Sequence, residues 1–432
     1  MGIPSDLEKQ ITFIQMKYCL FFCFLSLSII SKSQAQNDSI PKSFLSKTLE
    51  SGYLEVPYFN FDLRYLVKYN QYEGFRTGIG GVTNSDLSEV IRFEGYTVYG
   101  FLDDEFKYRA GTGIRLAKKT NTWINLSYTD DLQETASSNF LTDQRLFQLF
   151  EPRLINIETF YKHVTKSLSI EHQLVPEILT ETQFSMSKIE PKFDYTYNVE
   201  TLGSFKNYKL SLLTFSAQLS LFSEFKQTPA GIIETKSGFP KFSIQYTKSF
   251  SNLLKSDFGF SKLDFRAIQQ FKHQKEALTE FVLTSGVANG DVPITHAYHA
   301  YPNNVNKGTI LQRFSVAGTN SFETMYFNEF YSDKFVSLQM KHKLSPINIS
   351  PWLKPEVVFI YRYAMGRMNN IERHESITFN TLEQGYSEAG LEINKLFFGF
   401  GLSFAYRHGA YYLPKFEDNF AFKFTFNLNL KR

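Results

Sequence analysis

The fold class this sequence predicts is all-β: a single transmembrane antiparallel up-and-down β-barrel of about 14 strands, within a range of roughly 12–16, with long extracellular loops. Three observations predict it. Apolar and polar residues alternate with a period of two in many separate segments, as in "FAFKFTFNLNL" at the C-terminus. The 432 residues include 45 Phe and 25 Tyr, and aromatics favour strands and membrane interfaces. The faces opposite the apolar rows carry Ser, Thr, Gln, Asn and Gly rather than the Lys and Glu of a soluble sandwich.

The chain opens on an export signal. "YCLFFCFLSLSII" holds both cysteines, Cys19 and Cys23, in an apolar run of 13 residues. Such a run is too short to span a membrane as a helix and suits a signal core. Lys17 precedes it, and Ser33 and Ala35 in "SKSQAQ" place cleavage after Ala35. The polar stretch before Lys17 is foreign to a signal peptide, which makes Met16 the expected start of translation. The mature chain then has no cysteine, so it is exported without a disulfide framework. It has no later run of about 18 apolar residues either. Residues 36–56 read as a short periplasmic lead-in and 57–432 as one barrel domain.

Strand candidates follow in order. They are Glu73–Asn84, Ile91–Phe101, Phe106–Leu116, Thr122–Asp130, Phe160–His172 and Gln183–Ile189. In "LLTFSAQLSLF", Leu213, Phe215, Ala217, Leu219 and Leu221 oppose Thr214, Ser216, Gln218 and Ser220. In "KFSIQYTKSF", Phe242, Ile244 and Tyr246 oppose Ser243, Gln245 and Thr247. Leu263–Phe271 and Leu278–Ser285 come next, then "FVSLQMKHK", Val357–Ala364, "AGLEINKL", "FGLSFAYRHG" and the last strand. Most are about 8–12 residues long, the length a tilted strand needs to cross a bilayer. In the last strand, Phe420, Phe422, Phe424 and Phe426 face one way and Ala421, Lys423 and Thr425 the other. To abolish its edge, that strand is expected to pair with the first, near "EGFRTGIGG". Long irregular stretches at 130–153, 287–333 and 366–385 read as caps or plugs.

Motifs for chemistry are weak. "RTGIGG" (76–81) lies inside an alternating strand and lacks the spacing of a nucleotide loop, so its glycines are read as making room for neighbours. His296 and His299 in "HAYHAY" follow Gly290 and Pro293 and read as loop residues rather than a metal pair; His374 beside Glu375 is weaker still. No nucleophile elbow is present, and the expectation is a protein that is not an enzyme and takes no cofactor. A net charge of +3, with no basic stripe, argues against nucleic acid.

Charges on the polar faces carry more. Arg76, Arg92, Lys107, Arg109, Arg115, Asp264, Arg266, Glu280, Glu392, Arg407 and Lys423 all sit there. A charge facing lipid at mid-membrane costs about 2–4 kcal/mol, so these are expected to line a lumen or to pair with one another inside it. In "NEFYSDKF", Glu329, Phe330 and Asp333 are the expected contact of the long loop, either with the wall or with a partner.

Several stretches together resemble a known family. They are "SGYLEVPYF", "YNQYEGFRTGIGGVTN", "GYTVYGFLDDEFKYRAG", "KQTPAGII", "SDFGFSKLDFRA" and "GVANGDVP". "NEFYSDKFVSLQMKHKL", "EQGYSEAGLEINKL" and "FGLSFAYRHGAYYLPKFEDNFAFKFTF" complete the set, in order over about Gly52 to Arg432. The chain is similar to a Bacteroidota outer-membrane β-barrel family of unknown function, usually found C-terminal to a carboxypeptidase-regulatory-like domain. That domain is missing from the short lead-in here. The resemblance implies a barrel in the Gram-negative outer membrane, distantly related to the barrels of assembly factors, and supplies no catalytic residue. The expected partners are outer-membrane lipid, the assembly machinery that inserts the chain, and other envelope proteins. The expected role is a transport or scaffold barrel with a partly filled lumen. An assembly or export component is the alternative, and an outer-membrane enzyme the third reading.

Overall fold

The computed structural model describes residues 48, 51–141, 152–200, 202–228, 231–252, 254–305, 315–350, 353–397 and 399–426. The expected signal segment, the cleavage point, most of the lead-in and the run 427–432 lie outside the described residues. Met1–Ser51 and Gly52–Arg432 are separate units, and everything below concerns the second.

Its strands are β1 (Tyr53–Val56), β2 (Phe59–Asp62), β3 (Val67–Asn70), β4 (Gly74–Thr83), β5 (Ile91–Gly100), β6 (Phe106–Ala117), β7 (Thr122–Glu134), β8 (Phe160–Val175) and β9 (Ile178–Pro191). Then come β10 (Thr196–Val199), β11 (Gly203–Phe205), β12 (Tyr208–Ser220), β13 (Glu224–Thr228), β14 (Gly231–Lys236), β15 (Lys241–Ser249), β16 (Phe260–Lys272) and β17 (Leu278–Gly290). The last are β18 (Pro302–Asn304), β19 (Phe322–Tyr326), β20 (Lys334–Lys343), β21 (Glu356–Arg367), β22 (His374–Glu375), β23 (Tyr386–Phe397), β24 (Phe400–His408) and β25 (Phe420–Phe426).

Eighteen of these segments form one sheet in which neighbours in sequence are neighbours in space. Its pairings are antiparallel throughout, the connectivity of hairpins laid side by side. β2 and β3 lie end to end along β4, the former on Gly81–Thr83 and the latter on Gly74–Thr77. A short turn of helix at Leu63–Tyr65 separates them, held by Asp62 accepting from the Arg64 backbone N–H and guanidinium. Since β4 has β2 and β3 on one edge and β5 on the other, the expected pairing of the last strand near residues 74–81 is not formed among the described residues. Phe59–Asn70 precedes β4 as a broken strand whose two four-residue halves are shorter than the length sought in the sequence.

The period of two sorts the sheet into two faces. Ile79, Phe93, Leu126, Leu168, Phe215, Leu338, Phe404 and Phe422 are exposed on the outer face, each at least 43% accessible. So large a continuous apolar surface is foreign to a water-soluble monomer. The alternate residues point to the inner face, which the long connections cover. Gly80 shows why "RTGIGG" carries glycine: Tyr65 and Tyr96 stack at 4.3 Å across it, and a Cβ there would lie 2.5 Å from both side chains.

Candidate functional site: the inner face and its buried segment

The connection from β17 to β20 is the largest feature of the inner face. Its described parts, 291–305 and 315–333, fold against the strands rather than away from them. β18 and β19 pair in parallel inside it, and Tyr298 bridges Ser332 to close its neck. Asn303 ties the two halves, donating from Nδ2 to the Val316 carbonyl at 3.0 Å and to Glu323 Oε2 at 2.7 Å.

Charged side chains of β20, β23, β24 and β25 grip this segment, with Arg362 of β21 behind Glu388. Lys423 on β25 pairs with Glu323 at 2.9 Å and donates to the Asn303 carbonyl. Arg407 on β24 pairs with Glu329 at 2.7 Å and lies over the Tyr386 ring. Arg362 on β21 pairs at 2.6 Å with Glu388 on β23, whose other oxygen accepts from the Thr324 N–H and hydroxyl. Glu323 also accepts from the Gly318 N–H and the Ser321 hydroxyl, so this buried carboxylate is fully satisfied. Gln339 and Lys341 on β20 donate to the carbonyls of Asn320 and Thr319. At the other flank, Arg153 forks onto Glu134, donates to the Pro302 carbonyl, and has His299 as a second partner of Glu134.

The charges expected on the inner face all lie there, in two groups. On the first strands they pair within the wall. Arg76 meets Asp131 at 2.7 Å, Arg92 meets Glu171 at 2.7 Å over the Trp123 ring, and Arg109 meets Glu94 at 2.8 Å. Lys107 meets Glu73 at 3.0 Å, and Arg115 takes Asn121. Asp264 neighbours Lys262, which lies 4.3 Å over the Tyr298 ring, and Arg266 lies over Phe140. Glu280 accepts from Gln270, and Glu392 accepts from Asn394. Of the expected set, Arg407 and Lys423 hold the described part of the segment by ion pairs. Sequence reasoning passed over Arg362, Glu388 and Glu323. The first two are single charges on the polar side of alternating strands, the same signal that marked Arg407.

Glu329, Phe330 and Asp333 are contacts within this chain. Phe330 is buried against Tyr386 and Tyr411 and bridges Asn380, while Asp333 accepts from the Asn369 N–H at 2.9 Å.

Three connections are knotted at the same rim. Tyr195 accepts from the Ile294 N–H at 2.9 Å and shares 2.9 Å with Nδ1 of His374, and β10 pairs with β22. Burial, helped by the Arg373 guanidinium, lowers the His374 pKa to about 4. Burial, with Lys262 and His163 nearby, lowers that of His296 to about 3. An unfolded imidazole titrates near 6.5, so both histidines are neutral in either state above that pH and the knot keeps its full stability. As pH falls below 6.5 the unfolded chain takes protons that the folded knot refuses, and stability drops until about pH 4 for His374 and about pH 3 for His296. The loss at His374 is about 3 kcal/mol. The hydrogen-exchange protection factors of the described amides in 192–207 and 368–385, taken against the intrinsic exchange rate at each pH, are expected to fall from pH 7.5 to pH 5, and less so in His374→Gln. An identical pH response in the variant would contradict this.

Among the described residues, the edge strand β25 meets the buried segment rather than β1. Phe424 of β25 donates its N–H to the Ser315 carbonyl at 3.2 Å and accepts from the Ala317 N–H at 2.8 Å, a parallel bridge to the buried segment. At the opposite edge, β1 folds back as a hairpin on β2. The edge at β25 is thereby partly blunted by the chain itself, while β1 is the outermost strand at the other end.

In fold the chain is similar to BamA from Haemophilus ducreyi lacking POTRA domains 1–3, with a TM-score of 0.51 at 10% identity over 83% of this chain and 68% of that one. A looser likeness, TM-score 0.40 at 11% identity, covers 82% of this chain and 57% of CdiB from Acinetobacter baumannii. No curated protein matches the sequence. The model of a family of unknown function, the DUF5686 C-terminal domain, matches residues 46–345, and the chain belongs to that family.

Proposed function

We propose that the sheet closes into a barrel in the Gram-negative outer membrane, with the 291–333 segment as its plug, and that the protein serves as a scaffold or transport barrel with a filled lumen. The apolar outer face, the polar inner face and the fold likeness to BamA support the membrane reading. The rim bearing the long connections 135–159, 192–207, 291–333 and 368–385 is the extracellular one, since such barrels keep their short turns in the periplasm. The observation that carries a filled lumen is the charge-matched grip of Arg362, Glu388, Arg407 and Lys423 on the segment. Catalysis has no part in this reading. In planar bilayers the protein is expected to give no steady conductance, and stepwise opening of the native chain would overturn the plug.

The covered edge at β25 favours a second reading, an assembly or export component. A segment that covers an edge by a few backbone hydrogen bonds can be exchanged for a partner's strand. A disulfide joining Val316→Cys to Phe424→Cys would hold the cap shut. Loss of co-purifying envelope proteins on cross-linking supports this reading; unchanged recovery counts against it.

A further inference from the structure

The outer face is not uniform. Between β6 and β9 it is hollowed into a groove of about 600 Å³. Its floor is Ala110 and Thr112 with the backbone of Gly111, and its walls are Leu126, Leu168, Phe184 and Met186. The register puts Thr112, Leu126, Leu168 and Phe184 side by side in one row. The next row toward the extracellular rim is Ala110, Tyr128, Lys166 and Met186. One row further, Lys188 stands beside Lys209. The groove therefore ends, on its rim side, at a lysine belonging to a group of three on β8, β9 and β12.

These lysines are unusual for an outer face. All three are exposed, and among the described residues none of their ammonium groups has a hydrogen-bond or ion-pair partner. Lys162, also outward on β8, is by contrast neutralised by Glu105 and Asp130. Like charges placed side by side on neighbouring strands repel unless an anion lies between them. Tyr108 and Tyr128 stack nearby at 5.9 Å, as aromatics do at headgroup level.

We propose that this groove and its lysines form a site for a phosphorylated, multiply acylated saccharolipid of the outer leaflet. An acyl chain fills the hollow over Ala110 and Thr112, and phosphate sits among Lys166, Lys188 and Lys209. The site rests on the membrane reading above. A second copy of this chain is a poorer occupant, because its own three lysines would meet these or an apolar wall.

The test uses the full chain in phosphatidylcholine nanodiscs doped with lipid A, with bound lipid read by native mass spectrometry. The native protein is expected to retain lipid A. The Lys166→Gln/Lys188→Gln/Lys209→Gln variant should lose about fivefold in retention per lysine removed. Ala110→Leu/Thr112→Leu, which fills the hollow and keeps the charges, should also lose it. Equal retention by all three proteins, each incorporated into discs, would overturn the site while leaving the membrane reading intact. Equal retention of phosphatidylglycerol in place of lipid A would overturn the saccharolipid assignment. Failure of the native chain to enter discs at all would overturn both readings.

Discussion

Lys423→Ala is expected to loosen the plug from the last strand and to turn a silent barrel into one that conducts. Lys423 is 2% exposed and neutralises Glu323, which is 1% exposed. Removing one member of such a buried pair costs about 3–5 kcal/mol, because the remaining charge stays in place without its counterion. Glu323 keeps its bonds from Gly318, Ser321 and Asn303, so the carboxylate remains tied to the segment while its anchor to the wall is gone. The neighbouring bridge from Ser315 and Ala317 to Phe424 then remains as a backbone attachment of the segment to β25. Two measurements check this: current steps in planar bilayers, and the temperature at which the folded band is lost in detergent electrophoresis. Glu323→Gln/Lys423→Ala removes both charges and is expected to recover most of the thermal loss. Silence in bilayers together with an unchanged melting temperature for Lys423→Ala would contradict the grip.

Phe404→Arg is expected to cut the outer-membrane yield severely. Phe404 lies midway along β24 on the outer face, packed against Phe422 with ring centroids 4.9 Å apart. An arginine there faces hydrocarbon at a cost of about 2–4 kcal/mol. The same change at Leu102, 66% exposed in the turn between β5 and β6, should stay within about 0.5 kcal/mol. Yields of the two variants, measured on outer-membrane fractions, separate the cases. Equal yields would mean that this face does not meet lipid.

The facing of the wall was legible because it is written locally. Every second residue of 420–426 or 213–219 reports its side of the sheet without reference to any distant partner. Strand ends were less legible. β8 has 16 residues and β9 has 14, longer than the about 8–12 residues sought in the sequence, because their pairing continues to the ends where the chain leaves the sheet for its longer connections. The broken β2 and β3 escaped notice because each half holds only four residues, too few to show a period. The inner segment was hidden for a different reason. Glu323 and Lys423 are 100 positions apart, and nothing near either residue announces the other. Arg407 and Lys423 could be assigned to the polar side, yet their partners could not be named. "NEFYSDKF" pointed to a contact, but a wall tether and a partner site have the same composition.

The parallel bridge at Val316 and Phe424 also constrains the order in which the molecule can be made. Residues 315–317 precede β25 by about a hundred positions, so they are waiting before the last strand arrives. β21, β23, β24 and β25 each bring a charged side chain to a segment that follows β17. The segment and these strands therefore complete one another, and neither is finished until both have met. Contacts of such long range are slow to form. The last quarter of the wall is expected to be the slow step of biogenesis, and a segment that fails to settle would leave β25 without the surface on which it ends.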